Sequence, residues 1–436
     1  PAQKATWSTE LKVYSENQCE CFSSVAIGEV WVAGGQSNMA MYLKDTEAYL
    51  KGEPVKESEY IRYYSLGRNL FPNISDYREG YDWVYNKDMA WEVCNENTAP
   101  LFSAIGYYFA QILQEQLQVP IGIINCTVGG SNVFCWLPKE IILQDDRINQ
   151  VYYDYENMIK DIDYKKTEDA YYQYLDSVKA EWYKEEEKDK YGYEVPAVYY
   201  KERGHFSFEN PATLYKSMSY KIEHFTARGM IWYQGENDAT ACRSHIYKYG
   251  MDALVKYYAT QSLNKDYKFC YVQLAPWNEP AATDWQGICN AQREFYLDNP
   301  GYPMVTTGDC GAGTDIHPPR KYPVAQRLAN AALTIAYNRK AEFTGPIAKD
   351  CKYENNMIKI RFIHAEGLYL EDEDYIEMVY SDEKVVKSKI YIENNCVVLK
   401  DVKEKPLYLR YGWEPDYKIK LYNGSNIPAS VFKIKV

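Results

Sequence analysis

Between residue 29 and about residue 340, short apolar runs alternate with longer stretches in which apolar residues recur every three or four positions. The runs "EVWVA" (29–33), "IGIINC" (121–126), "GMIWY" (229–233), "FCYVQLA" (269–275) and "PMVTTG" (303–308) have the length and continuity of buried strands. In 101–117, Leu101, Ile105, Phe109, Ile112, Leu113 and Leu117 form one stripe, which predicts a core-facing helix; Val324, Leu328, Ala332 and Ile335 repeat the pattern after Pro323. Strands alternating with helices predict an α/β fold in three layers, a central parallel sheet with right-handed crossovers and helices on both faces. In such sheets ligands gather at the carboxyl ends of the strands.

Three regions depart from that rhythm. Residues 150–205 contain "EDAYYQYLDSVKAEWYKEEEKDKYGY", which predicts an inserted helix with Tyr171, Leu175, Val178 and Trp182 on one stripe, then a charge run. Either this is a solvated insert or its tyrosines wall a sugar-binding cleft, since aromatic faces suit carbohydrate rings. After Gly345-Pro346 the period changes to two, in "NMIKIRFI" (356–363), "SKIYIENNCVVLKD" (388–401), "PLYLRYGW" (406–413) and "SVFKIKV" (430–436). That predicts a small, sandwich-like antiparallel module over 341–436. Residues 1–28 read as the remnant of an N-terminal β element, which leaves 29–340 as the main domain.

Composition narrows the partners. The 436 residues carry 49 Lys plus Arg against 61 Asp plus Glu, a net charge of -12, with no basic block. Neither nucleic acid nor an anionic membrane is expected as partner. No apolar run approaches the ~20 residues of a membrane-spanning helix. The first residues, "PAQKATWSTE", lack the apolar core of a signal peptide, and a start at Pro1 suggests a processed chain. The 11 cysteines show no CxxC pair, so reduced thiols in a cytoplasmic setting are expected rather than disulfides or a zinc site.

Chemistry concentrates after strands. "GEVWVAGGQSNMAMYL" (28–43) halts an apolar run on Gly34-Gly35 and then presents Gln36-Ser37-Asn38. Such a serine ordinarily caps the next helix. "NCTVGGSN" (125–132) offers backbone N–H groups at a Gly-Gly turn, and "YQGEND" (233–238) offers the Asn237 amide; acyl transfer needs such donors where negative charge develops. Of the five histidines, only His317 lies in a Gly-rich loop directly after a strand, "TGDCGAGTDIHPPRK", two residues from Asp315. Imidazole suits a general base, and a neighbouring carboxylate would fix its tautomer.

The order Ser, Gly, Asn, His and the local sequences resemble the SGNH hydrolases, and more narrowly the sialate O-acetylesterase family and the related carbohydrate esterase family six. The resemblance rests on "GEVWVAGGQSNM", "VPIGIINCTVGGSNVFCWLP", "LYKSMSYKIEHFTARGMIWYQGEND", "YVQLAPW", "DIHPPRKYPVAQRLANAAL" and "LYNGSNIPASVFK". It implies an SGNH-type catalytic domain over 29–340. Ser37 is then the nucleophile, with its own N–H in the oxyanion hole beside the Gly130 N–H and the Asn237 amide, and His317 is the base. Gly129 is the alternative to Gly130. The superfamily places its acid three residues before the His, which here is Thr314; Asp315, two before, is the candidate, the alternative being a backbone carbonyl and a Ser-His dyad.

The activity implied is removal of O-acetyl groups from carbohydrates, sialic acid foremost, without metal or organic cofactor. Acetylated xylan is the other substrate considered, and an idle carbohydrate-binding protein or a serine peptidase are the rival classes. Gln36, Gln234, Glu236 and Arg320 are candidate substrate contacts. Arg320 and Lys321 are expected to be solvated charges unless one meets a sialate carboxylate.

Overall fold

The computed structural model describes residues 4–16, 18–66, 90–182, 200, 202–278, 283–415 and 417–436. The chain forms two compact units, one of Pro1–Ile231 with Ala253–Tyr267, the other of Trp232–Asp252 with Lys268–Val436.

The first unit opens with an antiparallel hairpin, β1 (Thr6–Tyr14) and β2 (Cys19–Ile27). Then come β3 (Glu29–Gly35), β4 (Ser58–Ser65), β5 (Glu92–Cys94) and β6 (Ile121–Thr127), in the sheet order β5-β4-β6-β3, followed by β7 (Gly229–Tyr233). β3 and β4 both run parallel to β6, with Glu29 and Ile61 each opposite Ile121. The expected runs 29–33, 121–126 and 229–233 are all strands, each predominantly apolar and mostly buried, with Glu29 and Asn125 as the polar exceptions. β4 and β5 were hidden: "SEYIRYYS" buries only Ile61 and Tyr63, and Arg62 between them reaches Ser24 Oγ at 3.1 Å. β5 pairs antiparallel with β4, so the sheet ends on an antiparallel edge strand.

The stripe of 101–117 is the helix Ala104–Leu117. It begins at 104 because 99–101 form a 3₁₀ turn, after which the Ser103 side chain accepts the Gly106 N–H and caps the helix. In the insert, helices Gln150–Ile159 and Tyr164–Trp182 are present. Tyr171, Tyr172 and Leu175 bury themselves against Tyr200 and Phe206, so the stripe makes a small core of its own. The Trp182 side chain and the charge run of 184–193 lie outside the described residues.

The second unit holds β8 (Lys268–Val272) and β9 (Met304–Val305), which pair parallel. Both are shorter than their apolar runs. Helices Trp285–Asp298 and Tyr322–Tyr337 accompany them.

From Ile347 onward every strand pairs antiparallel. One four-stranded sheet comprises β10 (Ile347–Glu354), β11 (Met357–Ile363), β15 (Tyr391–Glu393) and β16 (Cys396–Leu399). A second comprises β13 (Tyr375–Val379), β14 (Val385–Lys389), β17 (Tyr408–Tyr411) and β19 (Phe432–Lys435), and a two-stranded sheet joins β12 (Tyr369–Leu370) to β18 (Leu421–Tyr422). Two hairpins turn on Asn pairs, 355–356 and 394–395, all four residues at φ between 50° and 56°, the left-handed pair that a tight hairpin turn requires. These strands hold the helix Trp285–Asp298: Arg293 Nε donates to Ala348 O at 3.0 Å and Asn290 Oδ1 accepts from Lys433 N at 2.9 Å.

Candidate active site

Three of the four clusters singled out in the sequence turn on a positive-φ glycine at or just past a strand's end: Gly35 at φ 131°, Gly130 at 74° and Gly235 at 145°. At Gly35 and Gly130 a side chain would strain the backbone, so each strand can turn sharply and project the next residues from its end. Gly313, at φ 64°, does the same within the histidine loop.

In the first unit Ser37 is the first residue of a single helical turn, Ser37–Ala40. The N-cap is Gln36, and no side chain caps the turn, so Ser37 does not hold the capping role that serines usually take here. Gln36 and Asn38 are buried and Ser37 is half-buried. The turn is pinned from below, where Ser103 Oγ donates to Met39 O at 2.6 Å and Ala104 N to Met41 O at 2.8 Å.

The Gly129-Gly130 loop comes after β6 and is fastened to the serine strand by Val128 N on Gly35 O at 3.1 Å. A Cβ on Gly129 would lie 3.5 Å from the Ser37 Cβ, so the loop passes the serine with room for about one methyl group between them. Beyond it, Asn132 Oδ1 accepts from the N–H groups of Phe134 and Cys135, and Trp136 Nε1 donates to Ser131 Oγ at 3.0 Å.

In the second unit Asn237 sits in the 3₁₀ turn Glu236–Asp238. Arg243 Nη2 donates to both Asn237 O and Asn237 Oδ1, the latter at 3.3 Å. A guanidinium has only donors, so this contact fixes which end of the amide is oxygen and makes the opposite end its NH₂ donor. Arg243 also lies 3.5 Å from the fully buried Asp238 carboxylate. Asp238 in turn accepts from Gln234 Nε2 at 2.6 Å, and Gln234 is held by Tyr247 OH and Gln292 Nε2. Gln234 is 0% exposed and its amide is engaged in this network; Glu236 is 9% exposed.

His317 is half-buried in a loop held at several points. Trp277 Nε1 donates to Thr314 O, Asn278 N donates to Gly313 O, and Arg327 grips Asp309 with two 2.7 Å bonds. Burial alone would raise the Asp309 carboxyl, but the guanidinium holds it below its ordinary range. Arg320 is exposed and donates to Asp309 O at 3.1 Å. Asp315 is exposed too, and its Oδ1 accepts the backbone N–H of His317 at 2.8 Å, the bond of an Asx turn.

Lys321 differs from the surface charge expected of it. It is 2% exposed, its ammonium lies 5.5 Å from the Tyr233 ring centroid, and burial lowers it to about 8 despite the attraction of Glu236, Cys310 and Asp315. Together with burial, this cation pushes His317 below its ordinary value of 6.5, while Asp315 pulls it upward. A base must be neutral, so the acid limb of kcat/KM is expected below pH 6.5. Lys321→Met should move that limb to higher pH, because the cation opposing protonation is gone, and Asp315→Asn should move it lower. A limb that stays put in both variants would show that His317 is not the titrating group.

Sequence reasoning missed Arg243, Asp238, Tyr247 and Gln292. The only signal was an acid and an arginine five positions apart in "GENDATACR".

Residues 205–334, which contain Asn237, Asp315 and His317, match the family model for carbohydrate esterase, sialic acid-specific acetylesterase. The chain is 23% identical over 403 residues to mouse sialate O-acetylesterase, covering 85% of this chain and 67% of that one. The chain is thus similar to the sialate O-acetylesterases over most of its length. Against the rat sialate O-acetylesterase the identity is 24% over 360 residues, spanning 74% of this chain and 60% of that relative. The fold matches that of a carbohydrate acetylesterase from Xanthomonas citri with a TM-score of 0.75 at 22% identity, over 100% of this chain and 87% of that one. Ser37 and Gly130 lie outside the matched segment 205–334.

Proposed function

We propose that this chain is a serine esterase that removes O-acetyl groups from carbohydrates, O-acetylated sialic acid foremost. The observation that carries the reading is the family match over the segment holding Asn237 and His317. Beside it stands a serine at the end of β3 that leads a helical turn without capping it.

In this reading Ser37 Oγ gives its proton to His317 and attacks the acetyl carbonyl carbon. The oxyanion is met by the N–H groups of Ser37 and Gly130 and by the Asn237 amide. The bond to the sugar oxygen then breaks, and that oxygen takes the proton from His317. Water, deprotonated by His317, attacks the acetyl-enzyme, acetate leaves, and the proton returns to Ser37. Asp315 acts on His317 through the backbone N–H it accepts and through its charge. Every step is a proton transfer or an acyl transfer, so the residues named suffice and no cofactor enters.

The test is acetate release from O-acetylated sialic acid, acetylated xylo-oligosaccharide and para-nitrophenyl acetate. Turnover of the sialic acid with the highest kcat/KM is expected. Preference for the xylo-oligosaccharide would move the substrate to plant glycan, and no release from any of them would overturn the esterase reading.

A further inference from the structure

The tyrosine-rich insert holds a cavity of about 270 Å³ in the first unit, lined among others by Tyr152, Tyr155, Tyr164, His205, Asn210 and Lys216. Its aromatic wall is fixed. The Tyr155 hydroxyl donates to Gly204 O at 3.0 Å, and the Tyr164 ring, 44% exposed, packs 5.1 Å from His205 and 5.3 Å from Phe206.

The wall carries both donors and acceptors. Asn210 Nδ2 donates to Gly204 O and His205 O, both at 3.2 Å, while Asn210 Oδ1 is buried with no partner among the described residues. His205 Nε2 lies 3.2 Å from Ile162 O. A carbonyl only accepts, so the proton sits on Nε2 and Nδ1 is left as an acceptor. Aromatic faces beside both the Lys216 ammonium, a donor, and the His205 ring suit a sugar ring.

The cavity is tied to the reacting end of the unit. Asn132 Nδ2 donates to Glu209 O at 3.1 Å and Ala212 N to Phe134 O at 3.0 Å, which bonds the cavity-lining segment directly to the chain just past Gly130. From Gly129, which passes beside Ser37, only three residues lead to Asn132, at most about 11 Å of chain.

We propose that this cavity is a subsite for a second sugar ring of the glycan that carries the acetyl ester, so that the enzyme acts on acetylated oligosaccharides in preference to the free monosaccharide. The proposal rests on the esterase reading above for its link to turnover, but not for its binding.

O-acetylated sialyllactose and free O-acetylated sialic acid serve as the probes, with para-nitrophenyl acetate as control. Wild type is expected to show the lower KM for the trisaccharide. Tyr164→Ala should raise that KM about tenfold, the upper worth of one aromatic contact, and leave the other two substrates unchanged. Tyr164→Phe should restore it. Equal losses on all three substrates, or no change on the trisaccharide, would overturn the subsite. Binding of the trisaccharide to Ser37→Ala, measured calorimetrically with and without Tyr164→Ala, separates the two ideas. Affinity that depends on Tyr164 supports the subsite even if no ester is cleaved, and affinity indifferent to Tyr164, or none, removes it.

Discussion

Ser37→Ala is expected to lower acetate release by a factor on the order of 10⁶ while leaving the fold in place, because the reaction has no other route to the acetyl-enzyme. The structure explains why the loss should be chemical. Ser37 leads a turn whose N-cap is Gln36 and which uses no capping side chain, and alanine is the best helix former. The contacts that hold the turn come from Ser103 and Ala104 to the backbone of Met39 and Met41, and the substitution leaves them intact. Circular dichroism and the thermal midpoint should therefore match wild type. Activity lost together with the midpoint would place Ser37 among the structural residues instead.

Asn237→Ala should lower kcat by ~10²- to 10³-fold with little change in KM, since an oxyanion donor binds the transition state and not the ground state. Arg243 is expected to act through it. Its guanidinium holds Asn237 Oδ1 and the backbone carbonyl on one side and stands against Asp238 on the other. Arg243→Ala should therefore also lower kcat. In the Asn237→Ala background the same change should cost nothing further, because the amide it positions is gone. Lysine has no planar fork and should rescue little of the loss. Additive losses in the double variant would show that Arg243 serves the fold by itself. Full activity in Asn237→Ala would instead remove the amide from the oxyanion site.

Some of this was legible along the chain and some was not, for physical reasons. β3, β6 and β7 announce themselves because strands buried along most of their length must be mostly apolar. β4 hides because it buries alternate residues and carries Arg62, and β10 hides because "IAKDCKYE" buries little beyond its first two positions. The candidate site residues stand out because each follows a strand within a few positions of a turn glycine, a local feature. Their supports do not. The Gln234–Asp238–Arg243 network draws on Tyr247 and Gln292 from two further helices, and only tertiary packing assembles it. Lys321 misled for the converse reason: a lysine between an arginine and a tyrosine reads as surface, and its burial is set by what folds over it. The tyrosines of the insert were ambiguous because one helix uses Tyr171 and Tyr172 for its core while Tyr152, Tyr155 and Tyr164 line a cavity.

The most direct measurement is to quench the enzyme during turnover of O-acetylated sialic acid and locate the acetyl group by mass spectrometry of its peptides. The account predicts one acetyl adduct, on the hydroxyl of Ser37, present in wild type and absent in Ser37→Ala. An adduct on another residue, or undiminished acetate release from Ser37→Ala, would contradict it.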